Sequence, residues 1–204
     1  MKGSYSLLDI DSSTGDVYLA KGASIGICLG AVKVPRVNPD TRNVTYAGTM
    51  SGCSNCFSSD GTGTLYNLSA TAVSTKIRPT SVLGSLDVAT GEPRDSVAVR
   101  RGPSAGMVVD GKNRFAVAAF TAPEGTSYIG SGTAFVPDNN ATGQMVIIDL
   151  TTGDVVRTMS GFRVGGHGGS LVHGGLMNSV QLDPSTRTGW TYGPYHEQIH
   201  QFSY

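Results

Sequence analysis

The sequence predicts an all-β protein made of many short antiparallel strands. Apolar and polar residues alternate in short runs, such as residues 16–20 and 114–118, and this period of two is typical of half-buried strands. Clusters of Gly, Asn, Asp, Pro and Ser separate the runs, as expected for turns between strands. No stretch of ten residues has the periodicity of an amphipathic helix.

The composition narrows the classes of protein to which the chain can belong. Its 204 residues suit one large domain or two small ones. Fifteen basic and fifteen acidic residues cancel, and this balance argues against a nucleic-acid-binding protein, which normally has a basic excess or stripe. No apolar run approaches 18 residues, so the sequence predicts no membrane span. The first residues also lack the charged-then-apolar order of a signal peptide.

Three segments share the pattern D-x-x-T-G-[D/E], and each follows an apolar run. They are residues 11–16, 87–92 and 149–154. In a tight hairpin the Asp side chain accepts hydrogen bonds from N–H groups of the turn, and Gly supplies the residue with positive φ. The pattern therefore predicts three hairpins of one type, here named c–d.

A second type of hairpin, named a–b, is interleaved with the first. Its turns are Asn-Pro-Asp at 38–40, Asp-Gly-Lys at 110–112 and Asp-Pro-Ser at 183–185, and strand-like residues flank each of them. The order along the chain is c–d then a–b, three times. Four-stranded units that recur in this way are typical of the blades of a β-propeller.

Part of this repeat resembles a known family. Residues 106–119 followed by 144–158 are similar to the YVTN-type propeller repeat, which combines a V-x-x-D-G-K turn with a V-x-V-I-D-x-x-T-G-x-V-V hairpin. The resemblance covers about half of the chain. It implies β-propeller-like, four-stranded antiparallel blades.

The predicted blades do not complete a ring. We expect a single domain with an N-terminal c–d hairpin at 4–21, a blade at 34–97 with a long insertion at 50–80, a blade at 104–160 with an insertion at 121–143, and a last blade at 177–204. These make about three blades, whereas propellers typically have four to eight.

Three explanations for the incomplete ring remain open. Segment 50–80 can hide a further blade, with strands at 64–70 and 72–77. The chain can be part of a larger polypeptide or complex. Two copies can also share one six-bladed ring, because unpaired strand edges need a partner. We therefore expect a homo-oligomer or a part of a larger assembly.

The blade arrangement separates the loops into two sets. The short a–b and c–d turns emerge on one face, here named the short-turn face, and the long connections emerge on the other, the long-loop face. Long loops on a rigid scaffold often carry function. The candidate ligand-binding residues predicted on the long-loop face are Arg100, Arg101, Tyr128, His167, His173 and Tyr195.

Histidines are concentrated near the end of the sequence. His167, His173 and His196 are candidate ligands of a metal or an anion, since imidazole is a common metal ligand. The alternative is a glycine-rich loop that carries solvated histidines. No cofactor is required by the sequence, and a transition metal is kept as the alternative. Residues 196–200 match H-E-x-x-H, but residues 198–204 alternate like a strand rather than a helix, so we interpret the match as chance.

Cys53 and Cys56 lie in a Gly/Ser-rich loop, and we expect them to form a disulfide that leaves Cys28 free. A redox pair and half of a zinc site are the alternatives. Three N-x-[S/T] triplets, together with this pair, favour a secreted or cell-surface setting, whereas the absence of a signal sequence argues against one unless the chain is part of a larger precursor.

The sequence favours a non-catalytic module that binds a protein or glycan partner through the long-loop face. The alternative is an enzyme, a lyase or a hydrolase, that uses the histidine cluster on the same face. Propellers host both classes, so the fold does not decide between them. The long loops contain few carboxylates and no clear acid–base pair, and this favours the binding module.

Overall fold

A computed structural model describes residues 5–21, 31–51, 57–71, 80–94, 96–102, 104–120, 123–124, 128–129, 136–137, 143–162, 180–193 and 198–204. All regular structure in these ranges is β-strand. The strands are β1 (Tyr5–Ile10), β2 (Val17–Lys21), β3 (Ala31–Val37), β4 (Val44–Ser51), β5 (Phe57–Ser59), β6 (Thr64–Thr71), β7 (Thr80–Asp87), β8 (Val97–Arg101), β9 (Ser104–Asp110), β10 (Phe115–Phe120), β11 (Tyr128–Ile129), β12 (Val136–Pro137), β13 (Gly143–Asp149), β14 (Val155–Phe162), β15 (Val180–Asp183), β16 (Thr188–Gly193) and β17 (Gln198–Ser203).

The strands form antiparallel sheets that follow one another along the chain. Sheet 1 has the order β1-β2-β3-β4, sheet 2 the order β5-β6-β7-β8 and sheet 3 the order β9-β10-β13-β14. Sheet 4 has three described strands, β15-β16-β17, and β11 and β12 form a separate small hairpin. The predicted all-β fold with four-stranded, β-propeller-like antiparallel units is confirmed.

The predicted division into blades is wrong in the first half of the chain. The expected blade at 34–97 is split, because β3 pairs with β2 through Val17↔Val37 and so joins the hairpin predicted at 4–21. The reason is that the D-x-x-T-G turn lies in the first hairpin of sheet 1 but in the second hairpin of sheets 2 and 3. The motif therefore marks a type of turn, not a fixed place in the sheet.

Segment 50–80 contributes two strands, β5 and β6, to sheet 2, and the predicted blade at 34–97 omitted both. β6 corresponds to the strand expected at 64–70, and β5 precedes it, while the strand expected at 72–77 lies outside the described residues. The turn between β5 and β6 is also one residue shorter than the others, since Asp60 N–H bonds to the carbonyl of Thr64. This shorter turn concealed the repeat.

Six described turns share one conformation, although the sequence divides them into two types. Each begins with Asp or Asn, and its fifth residue has positive φ. The fifth residue is Gly15, Gly91 or Gly153 in the D-x-x-T-G turns, with φ of 72°, 75° and 80°. In the other turns it is Arg42, Arg114 or Arg187, with φ of 58°, 62° and 54°. Arginine thus occupies the left-handed position that glycine occupies at lower cost.

The sheets stack through their faces. Among the described residues, buried apolar side chains form three clusters, and each cluster joins two consecutive sheets. Tyr18 and Leu65 belong to the cluster between sheets 1 and 2, Leu83 and Val109 to that between sheets 2 and 3. The first strands of consecutive sheets also contact one another, namely β1 with β5, β5 with β9 and β9 with β15.

Candidate functional site

The first turns of the four sheets lie side by side and form the short-turn face. Ser59 Oγ lies 3.4 Å from Asp11 Oδ2, and Arg114 Nη1 lies 3.6 Å from Asp60 Oδ2. Asn113 Nδ2 donates to the carbonyl of Pro184 over 3.1 Å. Because adjacent strands are antiparallel, the connections between successive hairpins leave the described strands at the opposite edge, which is the long-loop face.

The structure describes only part of the predicted ligand set. Arg100 and Arg101 end β8, and the backbone of Tyr128 begins β11, where it pairs with Pro137. The other predicted site residues lie outside the described residues: His167, His173, Tyr195, His196, Cys53 and Cys56. The metal site, the ligand-binding histidines and the disulfide therefore stay predictions.

Arg100 joins sheet 2 to sheet 3 at the edge of the long-loop face. Its guanidinium lies 4.4 Å from the ring centroid of Phe120 and donates from Nη1 to Gln144 Oε1 over 2.7 Å. Gln144 in turn donates from Nε2 to Ser160 Oγ over 2.9 Å. Arg100 is only 7% exposed, so these contacts stabilise the packing of sheet 2 on sheet 3.

Arg101 occupies the solvent side of the same edge. It is exposed, and its backbone N–H donates to Glu124 Oε1 over 3.1 Å. Glu124 is exposed as well. The described part of the long-loop face therefore presents charged side chains of both signs beside the buried guanidinium of Arg100.

Carboxylates line the short-turn face, but they hold the turns together. Asp110 Oδ1 accepts from the N–H of Asn113 over 2.9 Å, and its Oδ2 accepts from the hydroxyl of Tyr204 over 2.8 Å. Asp60 Oδ1 accepts from the N–H groups of Thr62 and Thr64 over 2.8 and 3.0 Å. This use is the one that the sequence predicts for the Asp of each turn.

Hydrogen bonds lower the pKa of several turn carboxylates. Burial raises the pKa of Asp11, but donors from Ser13 and Thr14 outweigh burial and lower it. The Arg94 guanidinium lowers the pKa of Asp87, and the N–H of Thr151 lowers that of Asp149. The Ser185 hydroxyl does the same for Asp183. These carboxylates stay ionised at neutral pH, as a structural role requires.

Ser58 connects three sheets at one point that sequence reasoning missed. Its Oγ donates to Asp9 Oδ2 over 3.0 Å and accepts from the N–H of Val109 over 3.0 Å. Asp9 follows the bulge in β1 and also accepts from the N–H of Ser59 over 2.7 Å. No sequence pattern distinguishes this serine from its neighbours, because its partners come from distant strands.

The described residues contain no group of three His, Cys, Asp or Glu side chains that could hold a metal ion. Residues 198–200, the described part of the H-E-x-x-H match, belong to strand β17, as the alternation of residues 198–204 predicted, and are not helical. In the ranges that the structure describes, no helix is long and apolar enough to cross a membrane. Asn67, which begins one of the three N-x-[S/T] triplets, is 2% exposed.

A second feature that the sequence analysis missed is an exposed apolar surface on the last sheet. Trp190, Tyr192 and Ile199 are all exposed, although large apolar side chains of strands are usually buried. Alternation along β16 and the register Tyr192↔Ile199 place the three on one side of sheet 4. The alternating pattern of β16 was the signal that could have identified this surface.

Comparisons with known proteins show similarity to several solved structures. Hydrazine synthase from Kuenenia stuttgartiensis matches with 12% identity over 96% of this chain and 70% of its own, with a TM-score of 0.45. A chain of a mitotic checkpoint complex matches with 13% identity over 98% and 73%, with a TM-score of 0.43. The Myceliophteria thermophila Cps50 (Swd1) β-propeller domain matches with 14% identity over 100% and 66%, with a TM-score of 0.44.

No protein-family model matches the chain, and no curated protein matches it either. The similarity to the YVTN-type repeat therefore stays a resemblance. The structural matches, with TM-scores of 0.43 to 0.45, identify neither a ligand nor a reaction for this chain.

Proposed function

We propose that this chain is a non-catalytic, β-propeller-like interaction module that binds a protein or glycan partner through its long-loop face. The module acts as a homo-oligomer or within a larger polypeptide or complex. The single observation that supports this function most is the difference between the two faces. On the short-turn face the Asp residues that begin the turns accept hydrogen bonds within those turns, whereas the long connections leave the sheets at the opposite edge.

The long-loop face has the chemistry of a binding surface at its described edge. Arg100 provides a buried cation that is fixed by Phe120 and Gln144, and Arg101 and Glu124 present charge to solvent. The rim of an interface is polar and solvent-accessible, so the exposed Arg101 and Glu124 suit the rim of a binding surface.

We include Tyr128, His167, His173 and Tyr195 in the proposed binding set, because the segments that contain them connect strand ends at this edge. His196 belongs to the same connection as Tyr195. Imidazole and phenol groups suit a polar partner, and aromatic rings are enriched at interfaces.

A pair of photo-crosslinking variants tests the proposal. A photoreactive amino acid replaces Arg101 on the long-loop face or Lys112 on the short-turn face, and both positions are exposed cations. We expect the chain to crosslink a protein partner from position 101 and not from position 112. For a glycan partner, Arg101→Glu should lower binding on a glycan array while Lys112→Glu leaves it unchanged. Capture from position 112 alone, or binding lost only in Lys112→Glu, would contradict the assignment of the face.

A further inference from the structure

The two terminal sheets each have one packed face and one open face. Among the described residues, the three buried clusters join sheets 1 and 2, sheets 2 and 3, and sheets 3 and 4. Each inner sheet is therefore covered on both sides. The face of sheet 1 that points away from sheet 2 is here named the first outer face, and the face of sheet 4 that points away from sheet 3 the last outer face.

An apolar row crosses all four strands of the first outer face, and Lys33 lies beside it, with its Nζ 5.7 Å from the ring centroid of Tyr46. The register pairs Ile10↔Val17, Val17↔Val37 and Val37↔Val44 form one cross-strand row of β-branched side chains. Ile10 and Val44 are 52% and 44% exposed, and Tyr46, two residues beyond Val44, is 59% exposed. A row of this kind resembles a sheet interior more than a solvated surface.

The last outer face is formed by larger side chains. Trp190, Tyr192 and Ile199 are 36%, 45% and 72% exposed. Gly189 and Thr191 alternate with them along β16 and are buried on the opposite side. Large exposed aromatic groups on a flat sheet are the type of residue that dominates protein interfaces.

The residues of the last outer face occupy positions that are buried in sheet 3. The pair Asp110↔Phe115 ends the first turn of sheet 3, and Asp183↔Thr188 ends that of sheet 4. Counting from these pairs through the strand registers gives three matches. Trp190 matches Val117, Tyr192 matches Ala119 and Ile199 matches Met145. The three residues of sheet 3 are buried in the cluster that binds sheet 4.

Residues of the first outer face occupy positions that are buried on the other face of sheet 3, the face that packs on sheet 2. The N–H of Asp11 bonds to the carbonyl of Asp16 at the first turn of sheet 1, and Asp110 pairs with Phe115 at the first turn of sheet 3. These two pairs give the equivalent positions in the strands of the two sheets. Three positions of the apolar row then have buried counterparts. Ile10 matches Val109, Val17 matches Ala116 and Val37 matches Ile148. These counterparts are buried in the cluster that joins sheet 3 to sheet 2.

We propose that the last outer face of one copy packs on the first outer face of a second copy, so that two copies form a closed ring of eight sheets. This inference deepens the proposed association and uses surfaces distinct from the long-loop face. Each chain carries both halves of the interface that its inner sheets already make, and that continuity identifies a second copy as the occupant.

The stoichiometry follows from closure. A contact between two different faces is heterologous, and such contacts produce a closed ring only when the rotation per copy divides a full turn. The four stacked sheets that the structure describes in each copy close with two copies into eight blades, which is within the usual range of four to eight. Three copies would exceed that range.

Analytical ultracentrifugation with two charge variants tests this inference. The wild-type chain of 21.2 kDa should sediment with twice that mass. Trp190→Glu on the last outer face and Val44→Glu on the first should each weaken dimerisation by about 100-fold or more, since each buries a charge in a desolvated contact. Val156→Glu is the matched control, because Val156 is 54% exposed but lies on β14 of sheet 3, away from both outer faces. It should leave the mass unchanged.

Mixing the two variants identifies which faces meet. Each mixed pair retains one intact contact, so the mixture should recover dimer that neither variant forms alone. If only one variant loses the dimer, like faces meet and the proposal is wrong. A wild-type monomer at the highest soluble concentration, or a filament, would overturn it as well.

The fluorescence of Trp190 supplies a readout that needs no substitution, since it is the only tryptophan. Its emission should shift to longer wavelength on dilution, over the range in which the sedimentation mass halves. A mass that halves without a shift would place the contact elsewhere and contradict the proposal. Arg101→Glu should affect neither measurement, so a failure of the proposed binding face is distinguishable from a failure of the ring.

Discussion

Replacing Ser58 by alanine should destabilise the stack of sheets more than its small volume change implies. The substitution removes the hydroxyl that donates to Asp9 and accepts from the N–H of Val109, and Ser58 is 3% exposed. A hydrogen bond to a charged group contributes about 1.5–3 kcal/mol, and a buried donor left without an acceptor costs about 1–3 kcal/mol. Asp9 keeps its bond from Ser59 and is partly solvated, which reduces the first loss.

We therefore expect Ser58→Ala to lower the free energy of unfolding by about 3 kcal/mol. Urea unfolding of variant and wild type at one protein concentration measures the change, and equal concentrations are needed because association affects apparent stability. The urea dependence should stay the same, since the exposed area hardly changes. Ser203→Ala is the control; Ser203 is exposed on β17, and its hydroxyl should contribute less than about 0.5 kcal/mol. A loss below about 1 kcal/mol in Ser58→Ala would refute the reasoning that this serine joins three sheets.

Four further substitutions test the turns. Gly111→Ala should lower the yield of folded protein, because the added Cβ would overlap the backbone carbonyl of Asp60; a yield and melting temperature equal to wild type would contradict that close approach. Arg42→Gly should raise the free energy of unfolding, measured by urea titration, by about 0.5 kcal/mol, because it relieves a left-handed φ at an exposed site. Arg187→Gly should raise the free energy of unfolding by less, because it also removes contacts with the rings of Phe115 and Tyr204. The melting temperature should be highest above the ordinary Asp pKa near 4 and should fall as pH drops from there through the lowered pKa values of the folded turn carboxylates, because these carboxylates resist protonation. Asp149→Asn should make the fall of melting temperature with pH less steep. A fall as steep as in the wild type would contradict the lowered pKa of Asp149.

Local structure was the part of the fold that sequence could predict. The Asp that begins a turn and the Gly that is its fifth residue constrain the backbone directly, so the turns at 11–16 and 149–154 lie where the pattern predicts. The equivalence of the two turn types was hidden, because arginine at positive φ is uncommon. The turn at 60–63 was missed since it is shorter by one residue.

The grouping of hairpins into sheets could not be predicted from the same patterns. Whether β3 pairs with β2 or with a later strand depends on contacts between distant residues, and the D-x-x-T-G motif occurs in both the first and the second hairpin of a sheet. Only the YVTN-like stretch, sheet 3, carried enough pattern to keep its four strands together.

The site was predicted by position rather than by contact. The order of loop lengths assigned long connections and short turns to opposite edges, but it placed residues 60–63 in a long connection, and the structure has a short turn there. It did not reveal that Arg100 is buried against Phe120 and Gln144, because those residues are 20 and 44 positions away in the sequence. The exposed face of Trp190 was missed because the alternation along β16 indicates two different faces but not which face other sheets cover.

Hydrogen–deuterium exchange of the chain with its protein or glycan partner tests the proposed function most directly. Binding through the long-loop face should slow amide exchange near Arg101 and at the start of β13, while the turns at 110–114 and 183–187 exchange at the same rate with and without partner. Protection concentrated in those short turns, with no change near Arg101, would show that the partner binds the opposite face and would contradict the account.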